Sequence, residues 1–455
     1  MEDRVVNTIA VISVIFLITF VVIARVFLNR SRAFFLILGA DVAVIIAIFA
    51  FVLIRRRFNR RRRLIESRLK SEGSELRIEY SFLRKVAGVP TKFRFQELED
   101  ATGGFQCLLG QGASASVFKG ILNDGTLVAV KRINGEERGK KEFKSEVAAI
   151  ASVQHVNLVR LIGYCNSAVA PRYLIYEFIP NGSLDSWIFP SKTENRRSRR
   201  GFLSWSLRYR IAIDVAKALS YLHHDCRSRI LHLDIKPENI LLDENFKAIV
   251  ADLGLSKLMG KDESQVMTTV RGTRGYLAPE WLLEHGVSEK TDIYSYGMVL
   301  LEIVGGRRNV CLIQDPRDKE KKKWEYFPRI VNEKVRENKL MEIVDERLME
   351  GGGVEEREVK RMVYVALWCI QERPRVRPNM KQVVEMLEGR VMVDQPPDTR
   401  MVMGNFFSME GGEEDEAESS QTVTSLAAYL ASQRATGNLD YVSTYSMATT
   451  VLSGR

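Results

Sequence analysis

The stretch from Leu231 to Gly254, LHLDIKPENILLDENFKAIVADLG, contains the polar residues around which the rest of the chain is organised. Asp234 stands five positions before Asn239, and Asp252 follows in the tripeptide Asp-Leu-Gly. A carboxylate and an amide oxygen are ligands that Mg²⁺ accepts, and a second carboxylate can orient an attacking hydroxyl. By residue type, Asn239 and Asp252 therefore suit a metal ion, and Asp234 suits a hydroxyl.

A glycine-rich turn lies well upstream of this stretch. Its sequence, LGQGASASVFKG at residues 109–120, spaces Gly110 and Gly112 as in loops whose backbone covers phosphate groups. The strand Val128–Lys131 follows, and alternation along it places Ala129 and Lys131 on one face. We therefore predict that a nucleotide lies along this face, with Lys131 at its phosphates.

A helix is predicted at residues 140–153, KKEFKSEVAAIASV. Phe143, Val147 and Ile150 recur at helical spacing, and Glu146 falls between them on the inward face. A buried carboxylate without a partner would be costly. Pairing between Glu146 and Lys131 explains why both residues are present.

In this order, the motifs resemble those of eukaryotic protein kinases over residues 105–389. The segment GTRGYLAPE at residues 272–280 resembles the serine/threonine branch, and ALWCIQERPRVRPNM at residues 366–380 is similar to plant receptor-like kinases of the Pelle-related type. The resemblance implies an α+β, bilobal kinase fold with a β-rich N-lobe and an α-helical C-lobe. It also implies transfer of the γ-phosphate of ATP to serine or threonine hydroxyls of protein substrates.

The resemblance assigns roles to individual residues. Catalytic roles fall to Asp234, Lys236, Lys131 and Glu146, with Thr273 supporting the transferred phosphate beside Lys236. ATP binding falls to Gly110, Gln111, Gly112, Ala113, Val117, Ala129, Lys131, Tyr176, Glu177, Phe178 and Ile179. Tyr176 limits the depth of the adenine pocket, and Asn239 and Asp252 hold Mg²⁺, with Mn²⁺ as a substitute. Asp292 is expected to hold the catalytic loop from below, and Glu280 to pair with Arg377.

Three positions depart from the usual kinase pattern. Leu233 replaces an arginine that would pair with a phosphate on the activation segment, which argues against control by that contact. Leu253 replaces the usual phenylalanine of the metal-binding turn, and Ala115 replaces the third glycine of the phosphate loop. Thr268 and Thr269 are nevertheless our candidate phosphorylation sites, because a phosphate there could order the segment.

Two apolar runs precede the kinase-like region and predict one or two transmembrane helices, at residues 5–28 and 33–54. Seven arginines follow between Arg55 and Arg63, and the positive-inside rule places them and the kinase region in the cytosol. The formal charge of +10 could suggest nucleic acid, but these arginines adjoin a membrane segment and favour lipid head groups instead. We therefore predict a protein of the plasma membrane that binds no nucleic acid.

Two topologies remain open for the N-terminal segments. In one, both runs span the bilayer as a hairpin with the N-terminus in the cytosol. In the other, the first run is a cleaved signal peptide and one span remains. Both leave little outside the membrane, so we expect any ligand to be sensed by an ectodomain-bearing co-receptor.

The remaining segments complete the predicted organisation. Residues 55–104 form a basic juxtamembrane segment, residues 105–389 the kinase domain, and residues 390–455 a disordered tail rich in Ser, Thr and acidic residues. The alternative function is a pseudokinase, a membrane scaffold that binds partners without catalysis. The presence of Lys131, Glu146, Asp234, Asn239 and Asp252 argues against it.

Overall fold

The computed structural model of the chain describes Thr19 and residues 90–112, 115–135, 137–150, 153–166, 171–190, 202–260, 263–284, 286–315, 318–350, 353–399, 401 and 403–404. Within these ranges, no helix is both long and apolar enough to cross a bilayer. Apart from Thr19, the predicted membrane segments and the arginine cluster lie outside the described residues.

A six-stranded sheet forms the N-lobe. Its strands are β1 (Thr91–Lys92), β2 (Leu108–Gln111), β3 (Ala115–Ile121), β4 (Leu127–Ile133), β5 (Leu161–Cys165) and β6 (Arg172–Glu177). They are ordered β1-β5-β6-β4-β3-β2, and every pair except β1 with β5 is antiparallel. Val117 faces Lys131 across β3 and β4, and Ala129 faces Tyr176 across β4 and β6. This register places the predicted phosphate-binding residues and the predicted adenine-binding residues on adjacent strands.

Two helices, α1 (Phe95–Ala101) and α2 (Glu137–Ile150), accompany this sheet. Leu98 of α1 is buried with Val128 and Val130, which alternate with the cleft-facing Ala129 and Lys131. Phe143 of α2 belongs to the larger core, as the helical spacing predicts. The side chains of β4 therefore face a small apolar core on one side of the sheet and the polar cleft on the other.

The C-lobe is mainly helical. Its helices are α3 (Asp185–Ile188), α4 (Trp205–Ser220), α5 (Pro279–Glu284), α6 (Glu289–Gly305), α7 (Phe327–Arg336), α8 (Glu346–Glu350), α9 (Glu356–Cys369) and α10 (Met380–Leu387). Its strands pair as four short hairpins or bridges: β7 (Arg229–Leu231) with β10 (Lys257–Met259), β8 (Ile240–Leu242) with β9 (Ala248–Val250), β11 (Val266–Met267) with β12 (Gly286–Val287), and β13 (Val310–Asp315) with β14 (Asp318–Tyr326).

Helix α6 is the central support of this lobe because its residues 291–304 are almost all buried. Ser288 caps its N-terminus by accepting a hydrogen bond from the Lys290 amide. Gly306 ends it in a left-handed conformation, with φ of 60°. Such a helix, buried all round, gives the catalytic loop a rigid base.

Residues 390–404 differ from the expectation of a disordered tail. The indole N–H of Trp368 donates to the carbonyl of Asp394 at 3.0 Å, and the Thr399 hydroxyl donates to Glu372 at 2.6 Å. Met401 and Met403 are buried in the main core. Hydrogen bonds and apolar side chains therefore attach this stretch to the C-lobe, while residues 405–455 lie outside the described part of the chain.

Candidate active site

The first polar cluster joins β4, α2 and the metal-binding turn. The Lys131 Nζ atom lies 2.9 Å and 3.1 Å from the carboxylate oxygens of Glu146, and 2.6 Å from Oδ1 of Asp252. The predicted contact of Lys131 with Glu146 is therefore present. The Glu146 side chain is fully buried, whereas 42% of the Asp252 side chain is exposed. Asp252 thus offers a carboxylate to the cleft while Glu146 holds the lysine from behind.

The electrostatics of this cluster keep Asp252 ionised. Burial alone would raise the pKa of Asp252, but the charge and hydrogen bond of Lys131 outweigh it and lower the pKa to about 2. Burial would lower the pKa of Lys131, but Asp252 and Glu146 together raise it above its usual value. At neutral pH, Lys131 is therefore a cation and Asp252 an anion.

Glu146 has a second partner that the sequence did not indicate. The hydroxyl of Tyr176 donates a hydrogen bond to Oε1 of Glu146. Burial raises the pKa of Glu146, while Lys131 and the Tyr176 hydroxyl act against that rise. Tyr176 was expected only to limit the adenine pocket, and the structure adds a contact that supports the ionised form of Glu146.

We expect Tyr176→Phe to shift the acid limb of the pH–rate profile to higher pH. Without the hydroxyl, the pKa of Glu146 rises further, and protonation of Glu146 weakens its hold on Lys131. The ionised pair then needs a higher pH to form. The folded state should also lose about 1–3 kcal/mol, since a buried acceptor loses a donor. Phosphate-transfer rates measured against pH, together with thermal melting, check both effects.

The matched control is Tyr173→Phe on the same strand. Tyr173 is buried in the smaller core, on the opposite face of β6 from Glu146. This control should leave the acid limb in place. An unchanged profile for Tyr176→Phe would mean that its hydroxyl does not tune Glu146.

The second polar cluster surrounds Asp234. Oδ2 of Asp234 accepts a hydrogen bond from the Asn239 amide at 2.9 Å and lies 2.8 Å from the Lys236 Nζ atom. The Thr273 hydroxyl donates to Oδ1 of Asp234 at 2.9 Å, and Lys236 donates to that hydroxyl at 2.7 Å. The catalytic loop and the activation segment therefore meet at one carboxylate.

The backbone beneath this cluster is strained and strongly supported. Leu233 has φ of 66° and Asp252 has φ of 65°, the left-handed region that residues with a Cβ atom rarely adopt. Asp292 of α6 accepts hydrogen bonds from the amides of His232 and Leu233 at 2.8 Å and 2.7 Å. The predicted support of the catalytic loop by Asp292 is confirmed.

His223 also contributes to that support, which the sequence analysis did not identify. Its Nε2 atom lies 2.8 Å from Oδ2 of Asp292, and its side chain is fully buried. His223 lies in the turn just after α4 and has no local signal for burial, because Asp292 is 69 positions away along the chain.

The two clusters are joined by backbone contacts. The Ala251 amide donates to the carbonyl of Asn239 at 2.8 Å, and β8 and β9 pair Ile240 with Val250. Asn239 and Asp252 are consequently held at neighbouring ends of one small hairpin. Among the described residues, no group of three or more His, Cys, Asp or Glu side chains is arranged to hold a metal ion. The chain therefore offers one carboxylate and one amide here, the kind of set that Mg²⁺ completes with waters and phosphate oxygens.

The predicted ATP-binding residues line two edges of the N-lobe. Gly110 and Gln111 lie in the exposed strand β2, and the Gly112 amide donates to the carbonyl of Ala115 at 2.8 Å. Ala113 lies outside the described residues. This hydrogen bond joins the ends of β2 and β3, and Gly110 and Gln111 are exposed beside it.

The segment joining the lobes has one free backbone donor. The Glu177 amide donates to the Arg160 carbonyl at 3.2 Å, and the Phe178 amide donates to the Leu127 carbonyl at 3.4 Å. Among the described residues, the Ile179 amide has no acceptor. Ile179 is thus the donor that this segment leaves for an adenine edge.

The end of the activation segment is fixed by a buried ion pair. Two guanidinium nitrogens of Arg377 donate to the two carboxylate oxygens of Glu280 at 2.7 Å and 2.8 Å. The predicted pairing of Glu280 with Arg377 is confirmed. Thr273 is therefore held between this anchor and the catalytic loop.

Comparison with known proteins agrees with this arrangement. The model of the protein kinase domain family matches residues 105–387, more than half of the chain. A probable receptor-like protein kinase of Arabidopsis thaliana is 61% identical over 412 residues, which cover 90% of this chain and 91% of that relative. The chain belongs to the plant receptor-like protein kinases.

Other relatives are longer proteins. A G-type lectin S-receptor-like serine/threonine-protein kinase of Arabidopsis thaliana is 47% identical over 80% of this chain and 42% of its own length. A rice kinase of the same description is 42% identical over 71% of this chain and 38% of its own length. This receptor-like kinase thus spans about two fifths of the length of such relatives.

These matches identify the reaction and the fold. The protein is a serine/threonine protein kinase with a β-sheet N-lobe and a helical C-lobe. The predictions of a plant receptor-like kinase, of this enzyme class and of the bilobal fold are confirmed. A protein kinase domain uses ATP and a divalent metal ion and acts on protein substrates.

Proposed function

We propose that this receptor-like kinase is anchored in a membrane, with its kinase domain in the cytosol, and transfers phosphate from Mg²⁺-bound ATP to serine or threonine hydroxyls. The observation that carries the proposal is the meeting of two clusters. Lys131, Glu146 and Asp252 form one, and Asp234, Asn239, Lys236 and Thr273 form the other. Together they provide a cation for the phosphates, two ligands for a metal ion and a carboxylate for the substrate hydroxyl. These are the groups that in-line phosphoryl transfer needs.

Asp234 orients the substrate hydroxyl in this proposal. Its carboxylate is held by three donors, from Asn239, Lys236 and Thr273, so its position is fixed before substrate arrives. A protein hydroxyl that displaces the Thr273 contact would donate its proton to the same oxygen. Lys236 then neutralises charge on the transferred group, since it lies within 2.8 Å of both Asp234 and Thr273.

ATP would lie beneath the phosphate loop. Lys131, fixed by Glu146, would hold the α- and β-phosphates, and the loop residues Gly110, Gln111, Gly112 and Ala113 would cover them. Val117 and Ala129 would contact the adenine ring, with Tyr176 closing the pocket. The Ile179 amide is the donor best supported for the adenine edge, alongside backbone groups of Glu177 and Phe178.

Asp252 and Asn239 would hold the metal ion, which supplies charge neutralisation between the phosphate groups when it is bound. The low pKa of Asp252 and its exposure to the cleft suit this role. Hard oxygen ligands favour Mg²⁺, and Mn²⁺ fits the same set.

Residues 5–28 and 33–54 would provide the membrane anchor, as one or two spans, and the arginines at 55–63 would contact anionic lipid head groups. The plasma membrane is the proposed site because receptor-type signalling begins there. An ectodomain-bearing co-receptor would bring the extracellular signal to this kinase.

We expect the full-length chain to remain in the membrane pellet after alkaline carbonate extraction and to expose its kinase domain to protease added from the cytosolic side. Replacing Arg60, Arg61, Arg62 and Arg63 by Gln should mix the orientations, because the positive-inside bias is reduced. Protease protection in sealed microsomes measures the orientation.

A second set of four arginines provides the control. Replacing Arg196, Arg197, Arg199 and Arg200 by Gln removes the same charge more than 100 positions after the apolar runs in the sequence and should leave the orientation uniform. Release of the parent chain by carbonate would show that residues 5–54 do not anchor it.

A further inference from the structure

The stretch of residues 390–404 crosses the C-lobe and ends beside the hairpin of β13 and β14. The Gln371 side-chain amide donates to the carbonyl of Pro397 at 3.0 Å, and Met403 is buried in the main core. Gly404 then lies so close to the ring of Tyr326 that a Cβ atom there would overlap the ring. Because Tyr326 is the last residue of β14, the described part of the tail ends at the base of this hairpin.

Strand β14 is rich in lysine. Its residues 319–323, KEKKK, contain four lysines and one glutamate, a net charge of +3. Among the described residues, β13 is the strand with which β14 pairs, and this pairing includes Lys322 with Gln314 and Lys323 with Ile313. Like charges at neighbouring positions repel one another, so an acidic partner beside them is stabilising.

The hairpin contacts the activation segment next to the active site. The Arg274 guanidinium lies 4.2 Å from the centre of the Trp324 ring. A Cβ atom at Gly275 would lie 3.4 Å from the Val310 side chain of β13, so the segment packs closely on the hairpin. Thr273, which belongs to the active-site cluster, directly precedes both contacts. A partner bound to β14 therefore lies next to the segment that a protein substrate approaches.

An acidic segment follows in the same chain. Residues 413–418, EEDEAE, carry five carboxylates in six positions. No lysine, arginine or histidine occurs between Asn405 and Gln433, so these carboxylates have no cation nearby in the sequence. Their charge is opposite to that of residues 319–323, and opposite charges attract at short range.

The acidic segment can reach these lysines from Gly404. Glu413 follows Gly404 by nine positions, and an extended chain covers about 3.3–3.6 Å per residue, so Glu413 can lie up to about 30 Å away. Lys323 and Lys319 precede Tyr326 by three and seven positions, which is at most about 10 Å and 24 Å along a strand at about 3.4 Å per residue. The lysines therefore lie within the range of the acidic segment.

We propose that the acidic segment, residues 413–418, binds residues 319–323 of β14 in the same chain. Its carboxylates would accept charge-assisted hydrogen bonds from the lysine amines. A tether this short gives an effective concentration in the millimolar range, so several weak ion pairs are enough to hold the segment. Residues 390–404 would thus bring an anionic partner to the hairpin beside the activation segment.

The bound segment would compete with acidic protein substrates, and this consequence alone rests on the proposed function. A substrate whose serine or threonine is flanked by glutamates would use the same lysines. Replacing the five tail carboxylates by amides should lower the KM of a glutamate-flanked peptide by roughly threefold or more, and leave that of the matched glutamine-flanked peptide within about twofold. An equal change for both peptides would contradict competition for the lysines.

The direct test uses the full-length chain in uncharged detergent micelles and needs no activity. A water-soluble carbodiimide couples lysine amines to carboxylates that contact them, and mass spectrometry of the digest identifies the joined residues. We expect residues 319–323 to be joined to residues 413–418, and within one copy when light and heavy isotope-labelled chains are mixed. The yield should fall severalfold between about 0.05 M and 0.5 M salt, because exposed charges are screened at the higher concentration.

Hydrogen exchange locates the effect in the strand. The tail variant carries five changes: Glu413→Gln, Glu414→Gln, Asp415→Asn, Glu416→Gln and Glu418→Gln. It should speed the exchange of residues 318–326 by about threefold or more, because the strand loses its cover. The tail change should have no effect on this exchange once Lys319, Lys321, Lys322 and Lys323 are replaced by Gln. It should keep its effect when the same four lysines are replaced by Arg, which preserves their charge.

A second charge variant is the matched control. Replacing Arg196, Arg197, Arg199 and Arg200 by Gln removes the same number of cations from another segment. It should leave the joined residues and the exchange of β14 unchanged. Melting temperatures of all variants check that each chain is folded.

Four results would overturn the proposal. The first is an exchange of β14 that does not respond to the tail variant, and the second is a response that survives replacement of the four lysines by Gln. The third is joining between light and heavy chains, which would assign the contact to a second copy. The fourth is protection of β14 that appears only with vesicles containing phosphatidylserine, which would assign the lysines to a lipid surface. None of these depends on phosphate transfer, so failure here differs from failure of the proposed function.

Discussion

Replacing Asp234 by Asn is expected to lower kcat for phosphate transfer by roughly 10³-fold, or about 4 kcal/mol in the barrier. The substitution preserves the shape of the side chain but replaces one acceptor oxygen by an amide donor. Both oxygens of Asp234 already accept hydrogen bonds, so one of the donors from Asn239, Lys236 and Thr273 would face another donor. The substrate hydroxyl would also lose the carboxylate that takes its proton.

The KM for ATP should change little in this variant, because the proposed phosphate contacts come from Lys131 and the metal ligands. Initial rates with radiolabelled ATP, Mg²⁺ and a generic protein substrate separate kcat from KM. The full-length chain in detergent is the sample, so that the membrane segments stay in place.

Glu238→Gln is the matched control for this experiment. Glu238 lies on the same loop and forms a partly exposed ion pair with Arg308 at 2.6 Å. The same change from carboxylate to amide should there leave the rate within about twofold, since such exposed pairs contribute little. A residual rate above a tenth of the parent in Asp234→Asn would remove Asp234 from its proposed role. A parent that binds ATP without transfer would favour the scaffold alternative.

Sequence reasoning predicted the parts of the site that depend on local spacing. Helical periodicity around Glu146 predicted its inward position, and alternation along β4 predicted that Lys131 faces the cleft. Both positions follow from the regular spacing of side chains along a helix or a strand. The fold class followed from the resemblance of these motifs, in their order along the chain, to those of protein kinases.

Contacts between distant residues were not predictable in the same way. The hydroxyl of Tyr176 meets Glu146 thirty positions away, and His223 meets Asp292 across 69 positions. Nothing in the local sequence distinguishes Tyr176 from a residue that only lines the pocket, or His223 from a surface histidine. The first contact arises only when α2 packs on the N-lobe sheet, and the second only when α6 packs beneath the catalytic loop.

One hairpin forms where the residue preferences of its sequence disfavour strands. The strands β13 and β14 form a hairpin at residues 310–326, although the sequence DKEKKKWEY of β14 is rich in lysine, which disfavours strands. The Trp324 ring lies 4.2 Å from the guanidinium of Arg274, beside Thr273. The hairpin therefore contacts the activation segment, and strand propensity alone would not predict it.

The buried ion pair between Arg377 and Glu280 should carry the largest effect of a single substitution on stability. Arg377 is 1% exposed, and besides Glu280 it donates to the carbonyls of Gln371 and Lys290 at 2.7 Å and 2.8 Å. Arg377→Ala would leave Glu280 buried and without its cation. Breaking a buried pair from one side typically costs about 3–5 kcal/mol.

We therefore expect Arg377→Ala to melt roughly 10 °C below the parent. The double variant Arg377→Met, Glu280→Gln should recover part of this loss, because it leaves no unpaired charge in the core. Lys381→Met is the surface control: its pair with Asp225 is 3.2 Å long and both side chains are at least half exposed, so its loss should move melting by little. If Arg377→Ala melted no lower than Lys381→Met, the pair would not anchor the activation segment. A large loss in Arg377→Ala that the double variant does not relieve would instead assign the stability to the backbone hydrogen bonds of Arg377.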